Sequence, residues 1–542
     1  MDAHKTIPTC LGIFLFLFTS CQTVDVPTGN ISRSINDPTP DRPLKKRTAN
    51  LLNKEELIVL LKEKDQDTDA SRKADKLFYS NFVDNSIYEK YGLPNPTINP
   101  ILGPSLRVTT WNIEKSIHVA EVAKSLSSEE YFISQLKDKV VKNKKNLNEA
   151  LRQRADIAHS DILLLQEMDI GHCRSDYLFA AQHLANKLGM NYAYAPQQLE
   201  IDPVYLGESD IVFQNMSTDP NACQGDHRYH GVFGVAVLSR YPIKKIQSFQ
   251  LETQPYDWYE GEIKKPDFVE NSRRFGANKI FQVVSTREVK EGGRGFTRVD
   301  LHVPNVPHET ISIINVHLEV KTQPKERTNQ IHEILNFIHK IKNPVILAGD
   351  FNSTATDVSA TSLSRLTSRA AQSPSNFVSA GLWLANATGI NQVRTLINYF
   401  KNYQDPLAWD IPVVFPNKTK TLFKTIENFR FEDGGAFDFR GDNKRSLRGI
   451  DGILSNSNQH SRFKGFTQTF KLPNPIGPFG RERLDWIFVK SFLTNPHDKK
   501  GPYQLAPHFG ETLSLMNKSV KSAYSDHHPI SAILPLNEPD EL

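Results

Sequence analysis

From residue 106 onward, short apolar runs alternate with longer polar or helix-period stretches. The runs are 106–113, 161–166, 232–239, 297–303, 311–318, 344–349, 484–489 and 528–534. Each has strand length, and polar or turn-forming residues bound it. Apolar residues at helical spacing mark 138–159, 176–189 and 323–342. Strands and helices in alternation predict a layered α/β domain over 101–542. Upstream, Leu51, Leu52, Leu57, Leu60 and Leu61 recur at helical spacing and predict a helical extension over 51–100. The stretches 200–230, 253–296 and 353–480 are long and polar. They read as insertions, and 353–480, with its Phe431-to-Asp438 segment, is the expected seat of specificity.

The first apolar run differs from the rest. Leu11 to Phe18 is continuous and apolar and ends in Thr19-Ser20-Cys21. A bilayer span needs about 20 apolar residues, so this run fits a secretory signal over 1–21 instead. A cysteine directly after small residues resembles a bacterial lipoprotein signal, which implies lipidation of Cys21. Phe18 stands where such signals usually carry Leu. Residues 22–50 are polar, with prolines at 27, 38, 40 and 43, and read as a flexible linker. The expected location is therefore outside the cytoplasm, tethered to a membrane and facing the periplasm or cell exterior. Of the four cysteines only Cys173 and Cys223 lie beyond the signal, as one disulfide or two separate thiols.

Composition adds little. The 542 residues are 39% hydrophobic and 23% charged, which is globular. A net charge of +4 does not advertise a nucleic-acid binder, although a sum conceals local patches.

The chemistry sits where the runs end. The first run ends in Trp111-Asn112-Ile113-Glu114 and the second in Leu165-Gln166-Glu167. Asn315-Val316-His317, Gly349-Asp350-Phe351-Asn352 and Leu484-Asp485-Trp486 follow, and Ser525-Asp526-His527-His528-Pro529 precedes the last run. Residues i and i+2 of a strand share a face, so Asn112 pairs with Glu114 and Asp350 with Asn352. Any one of these reads equally well as a turn or cap residue. Asp485 is harder to set aside, because a carboxylate inside an apolar run is costly unless paired or metal-bound. Carboxylate and amide oxygens suit a hard divalent ion, and a histidine beside an aspartate suits a general base. No CxxC or HExxH is present, so no dedicated zinc motif is read.

In this order the six motifs resemble the endonuclease/exonuclease/phosphatase superfamily, which includes DNases, abasic-site endonucleases, sphingomyelinases and inositol polyphosphate 5-phosphatases. The resemblance implies a four-layered α/β sandwich and a metal-dependent phosphoester hydrolase. It implies Mg²⁺, with Mn²⁺ as the alternative, held mainly by Glu167 with Asn112 and Glu114 beside it. It implies His527 as the base that activates water and Asp485 as the group that orients it. Asp350 and Asn352 would position the nucleophile and the phosphoryl oxygens. His317 would contact the phosphate or assist the leaving group, and Asp526 would lie near the metal. Glu114 stands where many members carry glycine or aspartate.

Three substrate readings remain. The first is a phosphodiesterase on nucleic acid, supported by Arg273-Arg274, Lys444-Arg445 and Arg448 with Phe275, Phe437 and Phe439 nearby. The second is a sphingomyelinase-like phospholipase C or a phosphatase on lipid headgroups or small phosphoesters, with Tyr256-Asp257-Trp258-Tyr259 at a membrane interface. The third is a catalytically silent binding module. A monomer is expected.

Overall fold

Alternation of side chains along each run sets the layers. In the run around residue 164, Ile162 and Leu164 join one buried cluster while Leu163 and Leu165 join another. Around residue 347, Ile346 and Ala348 join the first of these clusters, and Val345 and Leu347 join a third. Side chains of a strand alternate between its faces, so both runs are covered on both sides.

The computed structural model describes residues 42–64, 66–100, 102–201, 227–263, 288–353, 419–438, 466–476, 479–490, 505–506 and 508–537. The signal over 1–21 and most of the 22–50 linker lie outside them. The described strands are β1 (Phe82–Asp84), β2 (Thr97–Asn99), β3 (Gly103–Asn112), β4 (Ile162–Ile170), β5 (Asn191–Glu200), β6 (Val232–Ser239), β7 (Ile243–Gln250), β8 (Lys290–Gly292), β9 (Gly295–His302), β10 (Thr310–His317), β11 (Val345–Asp350), β12 (Phe470–Ile476), β13 (Phe479–Glu482), β14 (Asp485–Val489), β15 (Phe509–Thr512) and β16 (Ile530–Pro535).

Two mixed sheets result. One runs β1-β5-β6-β4-β3-β16-β15, with β2 on β3 and β8 on β5; the other runs β14-β11-β10-β9-β7. Their facing residues share one core: Leu106, Val108, Ile162 and Leu164 from the first, Val299, Ile311, Ile313 and Ile346 from the second. Helices Val119–Ser127 and Ala180–Leu188 cover the outer face of the first sheet, and helix Pro324–Ile338 covers that of the second. The architecture is the four-layered α/β sandwich, and all eight expected runs are strands within it.

Other expectations shift. The 51–100 extension is helical over Lys54–Lys62 and Asp69–Phe78, each opened by a capping box. It is not an outer appendage, because Leu57, Leu60, Leu77 and Phe78 enter the first sheet's core and β1 forms that sheet's edge. Strand β5 escaped the hydrophobic pattern because it reads Tyr-Ala-Tyr-Ala-Pro. Pro196 is tolerated there because the pairing with β6 shifts register beside it. Strand β7 escaped because it is a polar edge strand. In the 353–480 insertion, Phe431 and Phe437 are core residues, and Asp438 N–H donates to Val489 O at 2.8 Å. That segment therefore extends the sheet edge; residues 354–418 and 439–465 of the insertion lie outside the described residues. Cys173 is disulfide-bonded, and its partner also lies outside them.

One polar contact joins the sheets at the end that matters. Asn315, fully buried on β10, donates through Nδ2 to Leu165 O (3.1 Å) and Ala236 O (2.8 Å) of the opposite sheet. Its Oδ1 accepts from Gln166 Nε2 at 2.7 Å. A slip in the β4–β6 ladder between Leu165 and Met168 occurs at this point. Buried carbonyls without donors cost about 1–3 kcal/mol each. Asn315→Leu should therefore lower unfolding free energy by roughly 2–5 kcal/mol in chemical denaturation. A loss under about 1 kcal/mol would mean that packing alone holds the sheets in register.

Candidate active site

Strand pairing brings the six motifs to one rim. Parallel β3 and β4 place Asn112 opposite Gln166, next to Glu167. Parallel β10 and β11 place His317 opposite Asp350, and antiparallel β14 places Asp485 on the other side of Asp350. The residues thus gather at the carboxyl ends of two parallel pairs, where α/β sheets expose backbone and side chains to ligands. The loop before β16 adds Asp526 and His527.

The halves meet through hydrogen bonds. His527 Nδ1 and Asp485 Oδ2 are 2.9 Å apart, both buried. Asn112 Nδ2 donates to Glu167 Oε1 (3.2 Å) and to Asp350 Oδ2 (3.0 Å). His317 Nε2 lies 3.8 Å from Glu167 Oε1 and 3.7 Å from Asp350 Oδ2. Glu114 Oε2 accepts from the Asp526 N–H at 2.9 Å, which ties the end of β3 to the loop. Asn352 N–H donates to Asp350 Oδ1 at 2.8 Å, and its Nδ2 donates to Leu318 O at 2.9 Å. Backbone strain marks the same places: φ is positive at Glu114, Lys115, Ser116, Glu167 and Asn352. Such conformations cost of order 1–3 kcal/mol and persist where the surroundings impose them. Gly349 is obligatory, because a Cβ there would lie 2.0 Å from Val316 O.

The charges are unevenly balanced. Burial, then Asp526, pushes Glu114 up to about 8. Burial also pushes Asp350 up to about 7, against the pull of His527 and with a further push from Asp485. Asp526 is raised, again chiefly by burial. Burial would raise Glu167 too, but Lys115, Arg294 and His527 outweigh it and hold the carboxylate low. His527 is the converse: burial opposes its charge, yet Asp485 and Asp350 hold the imidazole well above its usual range. Burial and the Arg294 charge drive His317 well below that range.

A family model for the endonuclease/exonuclease/phosphatase family matches residues 109–527. The chain belongs to this family. It is accordingly a hydrolase acting on phosphoester bonds. A comparison with curated protein sequences returns no match. Among solved structures, the chain is similar to an endonuclease/exonuclease/phosphatase from Beutenbergia cavernae at 15% identity and TM-score 0.36, covering 80% of this chain and 72% of that one. It is similar to an AP endonuclease from Archaeoglobus fulgidus at 12% identity and TM-score 0.33, covering 79% and 99%. A beta toxin from Staphylococcus aureus gives 14% identity and TM-score 0.31 over 79% and 99%. Scores this low carry no argument, and family membership rests on the family model.

The donor set of this family member fits a divalent cation. Glu114, Glu167, Asp350, Asp485 and Asp526 crowd together, and burial first, then neighbouring carboxylates, raises Glu114, Asp350 and Asp526, a cost that a cation would relieve. Two groupings could hold it. One ligand atom from each of Asp350, Asp485 and His527 lies within 4.8 Å of the others. The other group is Glu167 with Glu114 and Asn112, whose amide presents NH₂ to Glu167 while Oδ1 accepts from Glu114 N–H at 3.1 Å. Ligation by Asn112 requires that amide to turn over.

Several supporting residues were not legible from the motifs. Arg294 approaches His317 Nδ1 at 2.9 Å and Glu319 Oε2 at 3.3 Å. Asn517 donates to His527 O at 2.9 Å and approaches His528 Nδ1 at 3.1 Å, while burial pushes His528 down to about 3. His528 is therefore a neutral structural neighbour. Ser525 Oγ donates to Asn112 O at 2.7 Å and accepts from His527 N–H at 2.9 Å. Ser525 and His528 lie in the last motif, whereas Arg294 and Asn517 lie in none, so spacing offered no signal for those two.

Other expectations fail on geometry. Trp258 is buried and donates to Glu319 Oε2 at 2.9 Å, and Tyr259 OH donates to Leu61 O at 2.8 Å. Trp258 and the Tyr259 hydroxyl therefore face inward, while Asp257 is exposed. Phe437 is core and not free to stack on a base. Arg273, Arg274, Phe275, Phe439, Lys444, Arg445 and Arg448 lie outside the described residues.

Replacing Asp485 with Asn keeps shape but lets the neighbouring group donate to His527 Nδ1, favouring the wrong tautomer. Asp485→Asn should lower kcat roughly 10²–10⁴-fold on any diester the enzyme turns over, with unfolding little changed. An unaltered kcat would show that Asp485 does not orient the imidazole.

Proposed function

We propose that this chain is a metal-dependent phosphodiesterase, with nucleic acid ahead of lipid headgroups as substrate and His527 as general base. The observation that carries the reading is the His527 Nδ1 contact to Asp485 Oδ2 at 2.9 Å. In the neutral ring, a proton on that side leaves Nε2 for the proton of an attacking water.

Glu167, with Glu114 and Asn112, would hold Mg²⁺, or alternatively Mn²⁺, whose charge neutralises the diester and the developing oxyanion. The Asp350–Asp485–His527 grouping is the less favoured seat, because a cation there would occupy the nitrogen the base needs. Asp350 and Asn352 position the water and a phosphoryl oxygen. Arg294 can only donate, so its contact places the remaining His317 proton on Nε2, facing the reacting centre. His317 is then a neutral donor to the phosphate.

Lipid is the second reading. An apolar rim would favour it, and the exposed large apolar residues do not supply one. Among the described residues they are Tyr79, Tyr91, Leu93, Ile98 and Val141. Ile98 sits on β2, which pairs with Gly103–Ser105 at the end of β3 opposite Asn112. A silent binding module would have no need of a histidine held on a buried aspartate. We propose further that the enzyme is exported and tethered through Cys21. No described helix is long and apolar enough to cross a membrane.

Residues 22–542 incubated with supercoiled plasmid and Mg²⁺ should nick it. The nicking should vanish with chelator and fall at least ~10²-fold in His527→Ala. Nicking that survives both would remove the proposed mechanism. No nicking, with turnover of sphingomyelin or inositol phosphates, would move the enzyme to the second reading. For the anchor, Cys21→Ser expressed in a bacterial host should move the protein from the membrane fraction to the soluble one. Unchanged sedimentation would argue against lipidation.

A further inference from the structure

Outside the reacting centre, lysines from three separate segments converge on the loop that carries His527. The first segment opens with Lys137 and reads Lys-Asp-Lys-Val-Val-Lys-Asn-Lys-Lys through Lys145. An isolated bridge between Leu136 and Val520 lays it beside the second segment. Lys137 N–H donates to Ser519 O at 2.9 Å and Lys521 N–H to Gln135 O at 2.8 Å. Lys137 Nζ donates to Lys518 O at 2.8 Å, which brings Lys137 onto the same face as Lys518. The third segment is the start of β12. Its Lys471 N–H donates to Asp526 O at 3.1 Å, and the ring of the preceding Phe470 lies 5.1 Å from that of His527. The depression of Lys137 and of Lys518 agrees with this arrangement: burial acts first on both, Lys139 then acts on Lys137, and Lys471 acts on both.

These charges are not neutralised within the described residues. Lys139, Lys471, Lys518 and Lys521 are exposed, and neither they nor Lys137 forms an ion pair with a described carboxylate. Asp138 is the acid within the first segment and forms no described ion pair with these lysines, while Glu511 and Glu149 pair with Arg152, and Glu129 with Arg154. Like charges brought together on one face repel, and the arrangement is relieved by an anion with repeated charges. A single phosphate would meet one or two of these lysines, whereas a strand of phosphodiesters presents a charge at each step.

Resting on the phosphodiesterase reading, we propose that this surface binds a nucleic-acid strand through the phosphates that flank the scissile one. The partner is a polynucleotide rather than an anionic membrane. Surfaces that bind membranes pair basic residues with apolar side chains that insert, and Val141 is the only large apolar residue exposed within the 137–145 segment. The contacts are to backbone phosphate, so they give affinity and salt dependence without base preference. The surface accounts for substrate length: a diester too short to leave the reacting centre gains nothing from it.

The test compares wild type with Lys139→Gln/Lys518→Gln/Lys521→Gln, all exposed positions, with folding checked by circular dichroism. Binding of a labelled single-stranded oligonucleotide of about 20 nucleotides is followed by anisotropy in chelator, across a salt series. Wild type should bind with a steep salt dependence. The triple variant should bind at least roughly tenfold more weakly at low salt, with the slope of log K against log salt shallower by about 2. With Mg²⁺ restored, the ratio of oligonucleotide to bis(p-nitrophenyl) phosphate turnover should fall roughly tenfold as well. Equal affinity and slope in the two proteins would overturn the surface. So would an equal loss on both substrates, since the lysines would then act through the catalytic loop. Tighter binding of wild type to phosphatidylglycerol vesicles than to the oligonucleotide, lost in the variant, would overturn it in favour of a membrane. Binding as expected with no turnover of any diester would leave the surface standing while removing the phosphodiesterase reading.

Discussion

The candidate site depends on two sheets being held at a fixed offset, and the buried Asn315 amide is the contact that fixes it. Its three hydrogen bonds reach β4 and β6 from β10. Apolar packing between sheets is not directional and tolerates sliding, whereas an amide facing two carbonyls and a glutamine side chain does not. The candidate site residues are divided between the sheets. Asn112, Glu167 and the His527 loop belong to the first, and His317, Asp350 and Asp485 to the second. The His527–Asp485 and Asn112–Asp350 contacts, at 2.9 and 3.0 Å, cross that divide. A shift of about 1 Å between sheets would break both, since hydrogen bonds weaken steeply beyond their normal length.

Once the sheets are in register, electrostatics sets the roles. Carboxylates outnumber cations at the centre of the rim, so several are held partly protonated by burial and by one another. The cations stand to one side, where Lys115, Lys290 and Arg294 all act on Glu167. Lys290 and Arg294 are buried and Lys115 is half-buried, and they pair in turn with Glu288 and Glu319. The two histidines are treated in opposite ways. A carboxylate faces Nδ1 of His527, and a guanidinium faces Nδ1 of His317. In the proposed mechanism the first ring accepts a proton and the second donates a hydrogen bond.

The last third of the chain braces this centre. Strand β14 supplies Asp485, helix Ser514–Lys518 supplies Asn517 beneath the 525–528 loop, and the β12–β13 hairpin lies along that loop through Lys471 and the backbone pairing of Phe470 with His527. The part of the 353–480 insertion that is described therefore serves the sheet edge and the loop. The loop in turn meets Lys471 at the start of β12.

Much of this was legible along the chain. Strand periodicity placed all eight apolar runs, because alternation of buried side chains is a local property of extended backbone. Asp485 announced itself as an acid inside an apolar run, and the six motifs in order implied the family. What spacing could not supply was everything that depends on distant segments meeting. Asn315 looked like a polar residue inside a strand until its partners in the other sheet were known. Arg294 is unremarkable in sequence and decisive beside His317. The Lys137–Lys145 run was visible, but its relevance needed the Leu136–Val520 bridge that lays it against the catalytic loop. Sequence alone determined the strands, the ionisable groups and their chemical class, since these follow from residue type and period. Tertiary structure decided which nitrogen faces which charge, because tautomer, burial and ion pairing depend on groups hundreds of residues away.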